Sequence, residues 1–367
     1  MIIDLDSHLR ENQYMDEVYN LEGTPYAKYT PVPIDGGRPD QRRFRHSLGT
    51  RSARSGAAYN HNYMYDPREN WRGGEIAARQ AGGYDLERRL EDFEVEGFDH
   101  QMLFPTGIIV PTQNLGGLGA ALSHSYNDWA ARFVRGYEDK FWPVGMVPAG
   151  CPDAMADELR HAVNDLGFKA VALACYVGPR NLDDPAYFRF YEAAEELGTP
   201  LFCHPNGGGG EIIDRFDTFF QMHILGRPMH CTPALIALVA GGVFERFPGL
   251  KVAFFECSAE WPIYWMHRMD DDYEWVHDRS AAHLKMLPSD YIKRNVWVTC
   301  EPDEARLPWA VEEIGADRIC LASDYPHFDS EFPHTVSAIK DRADITEEQK
   351  ELILGGNAAR LLSLPAR

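Results

Sequence analysis

The chain of 367 residues carries 36 Lys and Arg against 56 Asp and Glu, a formal net charge of −20 that repels nucleic acid and anionic membrane surfaces. No apolar run reaches the ~20 residues needed to span a bilayer, and the opening MIIDLD reads as a strand rather than a targeting segment, so a soluble cytoplasmic protein with no nucleic-acid or membrane partner is expected. Seven cysteines lie without metal or redox spacing and read as small buried hydrophobes, Cys257 beside Glu256 being the one placed to reach an active site.

In chain order, short apolar runs bounded by turn signals predict eight strands: Ile2–Asp6, His100–Phe104, Trp142–Val147, Ala170–Cys175, Pro200–His204, Val252–Glu256, Val296–Cys300 and Ile319–Ser323. Helical patterns at Pro152–Asp165, Pro185–Leu197, Thr232–Phe247 and Pro302–Ile314 separate the later strands, and Thr346–Leu362 closes the chain as a helix packed outside them. Alternating strand and helix predicts an α/β fold, a (β/α)8 TIM barrel. A doubly wound open sheet is the alternative, weakened by the lack of a Gly-rich phosphate-binding turn.

Residues 23–83 break this rhythm with Gly, Pro, Arg, Tyr and Asn. They read as an insertion after the first strand, within one domain spanning 1–367, and as a lid over the catalytic end. Arg42, Arg43, Arg45, Arg51, Arg54 and Arg72 are candidates to hold an anionic substrate, against the plainer reading of a solvated loop or an oligomer contact. Low-complexity sequence is confined to Gly207–Gly210.

Four of the predicted strands end in a carboxylate or an imidazole. Asp6 and His8 stand at i and i+2, so both project from one face of a strand. With His204 and Asp324 they supply the three or four ligands of an open catalytic site, of a type suited to one Zn²⁺ or Mn²⁺. Zn²⁺ is the leading expectation. Asp324 can also serve as the general base on activated water, although in Ser323-Asp324-Tyr325-Pro326 it competes with a turn-capping role. Glu256, at the end of the sixth strand, is a candidate extra ligand, base or salt-bridged group. His230 and His327 are candidates to contact substrate or orient a ligand.

Several blocks together resemble the amidohydrolase superfamily, in the branch that contains aminocarboxymuconate semialdehyde decarboxylase. They are Asp6-Ser7-His8; Arg89-Leu90-Glu91-Asp92 through Glu96-Gly97-Phe98-Asp99 with Leu103-Phe104-Pro105-Thr106; Cys203-His204-Pro205; Gly241 to Pro248 with Leu250-Lys251; and Ala322-Ser323-Asp324-Tyr325-Pro326-His327. The resemblance implies a TIM barrel with one divalent metal held by Asp6, His8, His204 and Asp324. It also implies a histidine at the end of strand six, where this chain has Glu256. The leading expectation is a hydrolase that turns metal-activated water on an amide, ester, lactone or activated C–C carbonyl of a small, anionic or aromatic substrate. A nonoxidative decarboxylase of a phenolic or unsaturated acid is the alternative, followed by a hydratase and by a barrel that binds metal without catalysis. Barrels of the branch commonly associate, and the aromatic-rich Trp261–Trp275 offers apolar surface, so a homo-oligomer is expected.

Overall fold

The structure is a computed structural model that describes residues 1–33, 44–45, 81–106, 116–175, 177, 180–205, 215–216, 218–327 and 329–365. Eight parallel strands follow one another around the fold: β1 Ile3–Leu9, β2 His100–Pro105, β3 Phe141–Pro143 continued at Gly145–Met146, β4 Val171–Ala174, β5 Leu201–His204, β6 Val252–Phe254, β7 Val296–Cys300 and β8 Ile319–Leu321. At the bend in β3, the Val144 N–H donates to the Leu103 carbonyl on β2, while the next residue, Gly145, donates to Ala170 before β4. The ladder returns to its start through a parallel bridge between Ser7 and Tyr325 and the Ser323 and Asp324 N–H groups donating to the Asp6 carbonyl at 3.2 and 2.9 Å. This is the eight-stranded barrel expected from the apolar runs.

Helices connect the strands: α1 Leu86–Glu96, α2 Gly117–Phe133, α3 Pro152–Arg160, α4 Phe188–Leu197, α5 Phe219–Ala240, α6 Ile263–Val276, α7 Pro288–Asn295 and α8 Leu307–Glu313. Local chemistry sets their ends. Asp85 caps α1 by accepting from the Glu87 and Arg88 N–H groups, and Gly97 terminates it at φ 77°, a left-handed conformation that costs glycine nothing. Pro152 opens α3 where no N–H is needed. The largest departure from expectation is α5, which begins at Phe219 rather than Thr232 and runs through Pro228 and Pro233. Prolines read as helix breakers, but the buried Cys231, Ala234, Leu235, Leu238 and Val239 hold the second half of the helix in the core. The helix expected at Pro302–Ile314 is shorter, and that expected at Thr346–Leu362 is split into Glu347–Glu351, Leu352–Gly356 and Asn357–Leu361.

The core contains an unusual polar strut. Arg89 of α1 is fully buried, and its guanidinium donates to the carbonyls of Gly82 and His8, to Ser7 Oγ at 3.1 Å and to Gln101 Oε1 at 2.7 Å. Gln101 in turn donates to Asp4, which also accepts from the Ser323 N–H and hydroxyl at 2.9 and 2.6 Å. One connected network therefore ties α1, β1, β2 and the end of β8 together. Burial pushes the Asp4 carboxyl up to about 7 and Arg89 down to about 10.

In the predicted insertion, Val32–Pro33 pairs antiparallel with Phe44–Arg45. The lid reading cannot be placed on it, because Arg42, Arg43, Arg51, Arg54 and Arg72 lie outside the described residues, as do Gly207–Gly210. Among the described residues no helix is long and apolar enough to cross a membrane. Tyr264 and Trp275, in the aromatic-rich segment, are exposed.

Replacing Arg89 with Leu leaves four buried acceptors without their donor. Arg89→Leu is expected to lower the unfolding free energy by about 3 kcal/mol or more, read as a shift of the urea midpoint. An unchanged midpoint would mean that the strut carries no net stability.

Candidate metal centre and active site

The site forms where the ends of β1, β5, β6 and β8 meet. Asp6 and His8 both lie on β1, whose seven residues are all buried, and their alternation on the strand aims them into the same space. His204 is the last residue of β5. Glu256 and Asp324 follow β6 and β8 by two and three residues, at φ values of 54° and 52°. Left-handed backbone at a residue with a Cβ is strained, and two such residues at one set of strand ends mark a place where geometry was kept at a cost.

Two overlapping groups of potential metal-ligand atoms result. Asp6, His8, His204 and Glu256 each offer one atom, all within 4.8 Å of one another, and His8, Glu256, Asp324 and His327 do the same. His204 Nε2 lies 3.3 Å from Glu256 Oε1 and 3.8 Å from Asp6 Oδ1, while His8 Nε2 lies 3.4 Å from Asp6 Oδ1, 3.6 Å from Glu256 Oε1 and 3.2 Å from Asp324 Oδ1. Both Asp6 carboxylate oxygens, both His8 nitrogens and His204 Nε2 are buried with no hydrogen bond of proper geometry. The Asp6 carboxylate, His8 Nε2 and His204 Nε2, buried side by side without such bonds, fit a cation among them. The His204 tautomer fits as well. Its Nδ1 faces the Pro205 carbonyl at 2.9 Å and must carry the proton, which leaves the Nε2 lone pair for the site.

The electrostatics point the same way. Burial opposes charge on both imidazoles, but Asp324, Asp6 and Glu256 more than offset it at His8, and Glu256 and Asp6 do so at His204, so both pKa values rise. Protons here take the place that a cation would fill, and a divalent ion would displace them. Burial raises the Asp6 carboxyl. Burial acts in the same direction on Glu256, yet the Arg227 guanidinium and His204 hold that carboxyl well below the usual range.

Arg227 was not singled out in the sequence. It sits on α5 and donates from Nε to Glu256 Oε2 at 2.8 Å, with Nη2 at 3.7 Å from Asp329 and 3.9 Å from Asp324. It also contacts His223, a residue without supporting context in the sequence, whose Nε2 lies 3.4 Å from Asp329. Burial works against Asp329, but His223 and Arg227 bring it down to about 2. Glu301, the first residue beyond β7, keeps one side open to solvent; crowding of its carboxyl, then the Asp324 and Asp329 charges, push it up to about 8. It too was missed.

Of the remaining candidates, His327 joins the site. Its Nδ1 lies 2.6 Å from Asp324 Oδ1, and its ring stacks on His8 at 4.1 Å. His230 belongs to neither ligand group; it lies buried inside α5 rather than at its start, next to Cys231. Arg72 lies outside the described residues. Cys257 reaches a run of thiols behind the site, with its Sγ 3.4 Å from Cys231, which is 3.8 Å from Cys175, which in turn donates to the His204 carbonyl.

A family model described as Amidohydrolase matches residues 3–364. The chain is 28% identical to the 2-amino-3-carboxymuconate-6-semialdehyde decarboxylase of Dictyostelium discoideum over 77% of each chain. It is 28% identical to the gamma-resorcylate decarboxylase of Rhizobium radiobacter over 66% of this chain and 76% of that one. A crystal structure of 5-carboxyvanillate decarboxylase from Novosphingobium aromaticivorans, complexed with manganese and 4-hydroxy-3-methoxy-5-nitrobenzoic acid, superposes with a TM-score of 0.74 at 23% identity, covering 99% of this chain and 96% of that one.

These similarities correct the expectation of a hydrolase. The relatives named here are decarboxylases, which favours the decarboxylase alternative. The physical reason is that one ligand set serves both reactions, so strand-end residues alone could not separate attack by water from loss of carbon dioxide.

Arg227 is the counter-ion of Glu256, Asp324 and Asp329, and its loss leaves those charges without their partner. Arg227→Met is expected to lower the stability of the metal-free protein by about 3–5 kcal/mol and to increase the stabilisation that a divalent cation then brings. Thermal melts with and without cation check both. Equal losses in the two conditions would separate Arg227 from the site's charge balance.

Proposed function

Since the chain belongs to the amidohydrolase family, whose model matches residues 3–364, we propose that it is a metal-dependent nonoxidative decarboxylase of a small aromatic or unsaturated carboxylic acid. The observation that carries this reading is the convergence of partnerless buried Asp6, His8 and His204 atoms with Glu256, in a chain whose relatives are decarboxylases. Asp6, His8, His204 and Glu256 would hold the ion. The manganese in the related structure favours Mn²⁺ over Zn²⁺. Bound there, the ion supplies positive charge that orients the substrate carboxylate and stabilises the electron pair left on carbon.

The chain's own residues supply the proton. The overall change is R–COO⁻ plus H⁺ giving R–H plus CO₂, so the carbon that loses CO₂ must be protonated. We assign that transfer to Asp324, whose Oδ1 lies 3.2 Å from His8 Nε2 and 2.6 Å from His327 Nδ1, with His327 returning the proton to it. Arg227 holds Glu256 from behind and keeps its second oxygen turned away from His204. Glu256 thus takes the place where the family resemblance implies a histidine, as a ligand rather than an acid.

The test is purified, chelated protein reloaded with Mn²⁺ or Zn²⁺ and offered hydroxybenzoates and unsaturated acids alongside esters and lactones. Release of CO₂, with deuterium from D₂O appearing on the product carbon, is the expected result; ester or lactone cleavage without CO₂ overturns the reading. His204→Ala should lose stoichiometric metal and turnover together while its circular dichroism is unchanged. Asp324→Asn should retain metal and lose turnover by about 10²–10⁴-fold. If Asp324→Asn loses the metal instead, Asp324 is a ligand and the proton comes from another group.

A further inference from the structure

A third group of potential ligand atoms lies away from the strand ends, between α2 and α3. His124 and Asp128 stand at i and i+4 on α2; Glu158 is on α3, and His161 opens the turn His161–Asp165 that continues it. One atom each of His124, Glu158 and His161 lies within 4.8 Å of the other two. His124 Nδ1 is 3.1 Å from Glu158 Oε2, and the two imidazole rings are 4.4 Å apart. His161 Nε2 is 2.9 Å from Asp128, and its Nδ1 is 3.0 Å from Asp165.

The arrangement is anchored from beneath. The other Glu158 oxygen accepts from the Asn127 amide at 2.7 Å, and Asn127 is wholly buried, with its amide bonded in both directions to the backbone of Met146 on β3. Glu158 is thus held by the barrel wall rather than swinging freely in solvent. Two imidazoles face each other with carboxylates around them. If both were protonated, like charges would stand about one ring-width apart. A cation bound between them replaces that repulsion with coordination to both.

We propose that His124, Glu158 and His161 form a second divalent metal site that staples α2 to α3, with Asp128 and Asp165 flanking the His161 ring. Two imidazoles and one carboxylate, with room left for water, suit Zn²⁺, Ni²⁺ or Cu²⁺. Such an ion crosslinks the helices that follow β2 and β3, so its role is to stiffen the barrel wall. No chemistry at the strand ends is needed for it.

The experiment titrates Zn²⁺ into chelated full-length protein by calorimetry, comparing the wild type with His124→Gln, His161→Gln and His204→Ala. The wild type is expected to take up two ions per chain. His124→Gln and His161→Gln should each weaken one step by about tenfold or more and leave the other unchanged, and Zn²⁺ should raise their melting temperatures less than that of the wild type. His204→Ala should lose the other step and keep this one, so failure of the strand-end site and failure of the helix site are told apart. Isotherms of both the His124 and His161 variants that superpose on the wild type would overturn the proposal and leave the group an imidazole–carboxylate network only.

Discussion

Everything at the strand ends depends on how the barrel closes. The last strand meets the first through the Asp6 carbonyl, which accepts from the Ser323 and Asp324 N–H groups, while the Asp6 carboxylate points into the site. One residue therefore supplies both the seam and a candidate ligand. Beneath it, Asp4 takes both hydrogens of Ser323, and the Arg89–Gln101 strut fixes Asp4 in turn. Side chains held this way need no search for position, and the entropy of ordering them has already been lost in folding. The left-handed backbone at Glu256 and Asp324 is tolerable only because the surrounding hydrogen bonds leave it no alternative.

The second constraint is charge. Asp6, Glu256, Asp324 and Asp329 crowd into a volume whose fixed cation is Arg227, and the imidazoles of His8 and His204 are drawn towards protonation to make up the difference. Carboxylates packed this closely in a low dielectric repel strongly unless positive charge is brought in. The pairing of Glu256 with Arg227 also accounts for a carboxylate at the end of strand six. Burial alone favours the protonated form of Glu256, and the Arg227 guanidinium together with His204 holds it ionised.

Much of the framework was legible because strand ends leave a local signature. An apolar run finished by Asp or His reads the same whatever lies elsewhere in the chain, and that signal located Asp6, His8, His204, Glu256 and Asp324. Arg227 left no such trace. It lies within a helix interrupted by two prolines, where the sequence argues for a break, and its carboxylate partners are 29 and more residues away. Glu301 and Asp329 were missed for a related reason, since the groups that act on them come mainly from other elements, such as His223 and Arg227 of α5 at Asp329. His327 was found, because its partner Asp324 is three residues away. The reaction was misread for a deeper reason: a ligand set records which ion can bind, and the bond that breaks is decided by the shape of what binds beside it.

The closing seam also sets the order in which the site can come into being. His204 settles its own tautomer against the adjacent Pro205, so its geometry exists as soon as β5 is extended. Asp6 and Ser323, by contrast, are joined across 317 residues of sequence, among the most distant contacts the chain makes. Contacts of that separation form late, because the intervening chain must already be wound before they repay the entropy of closing the loop. Asp6 and His8 are thus made long before the strand that closes on them, and their position against His204 and Glu256 is fixed only once the eighth strand joins β1.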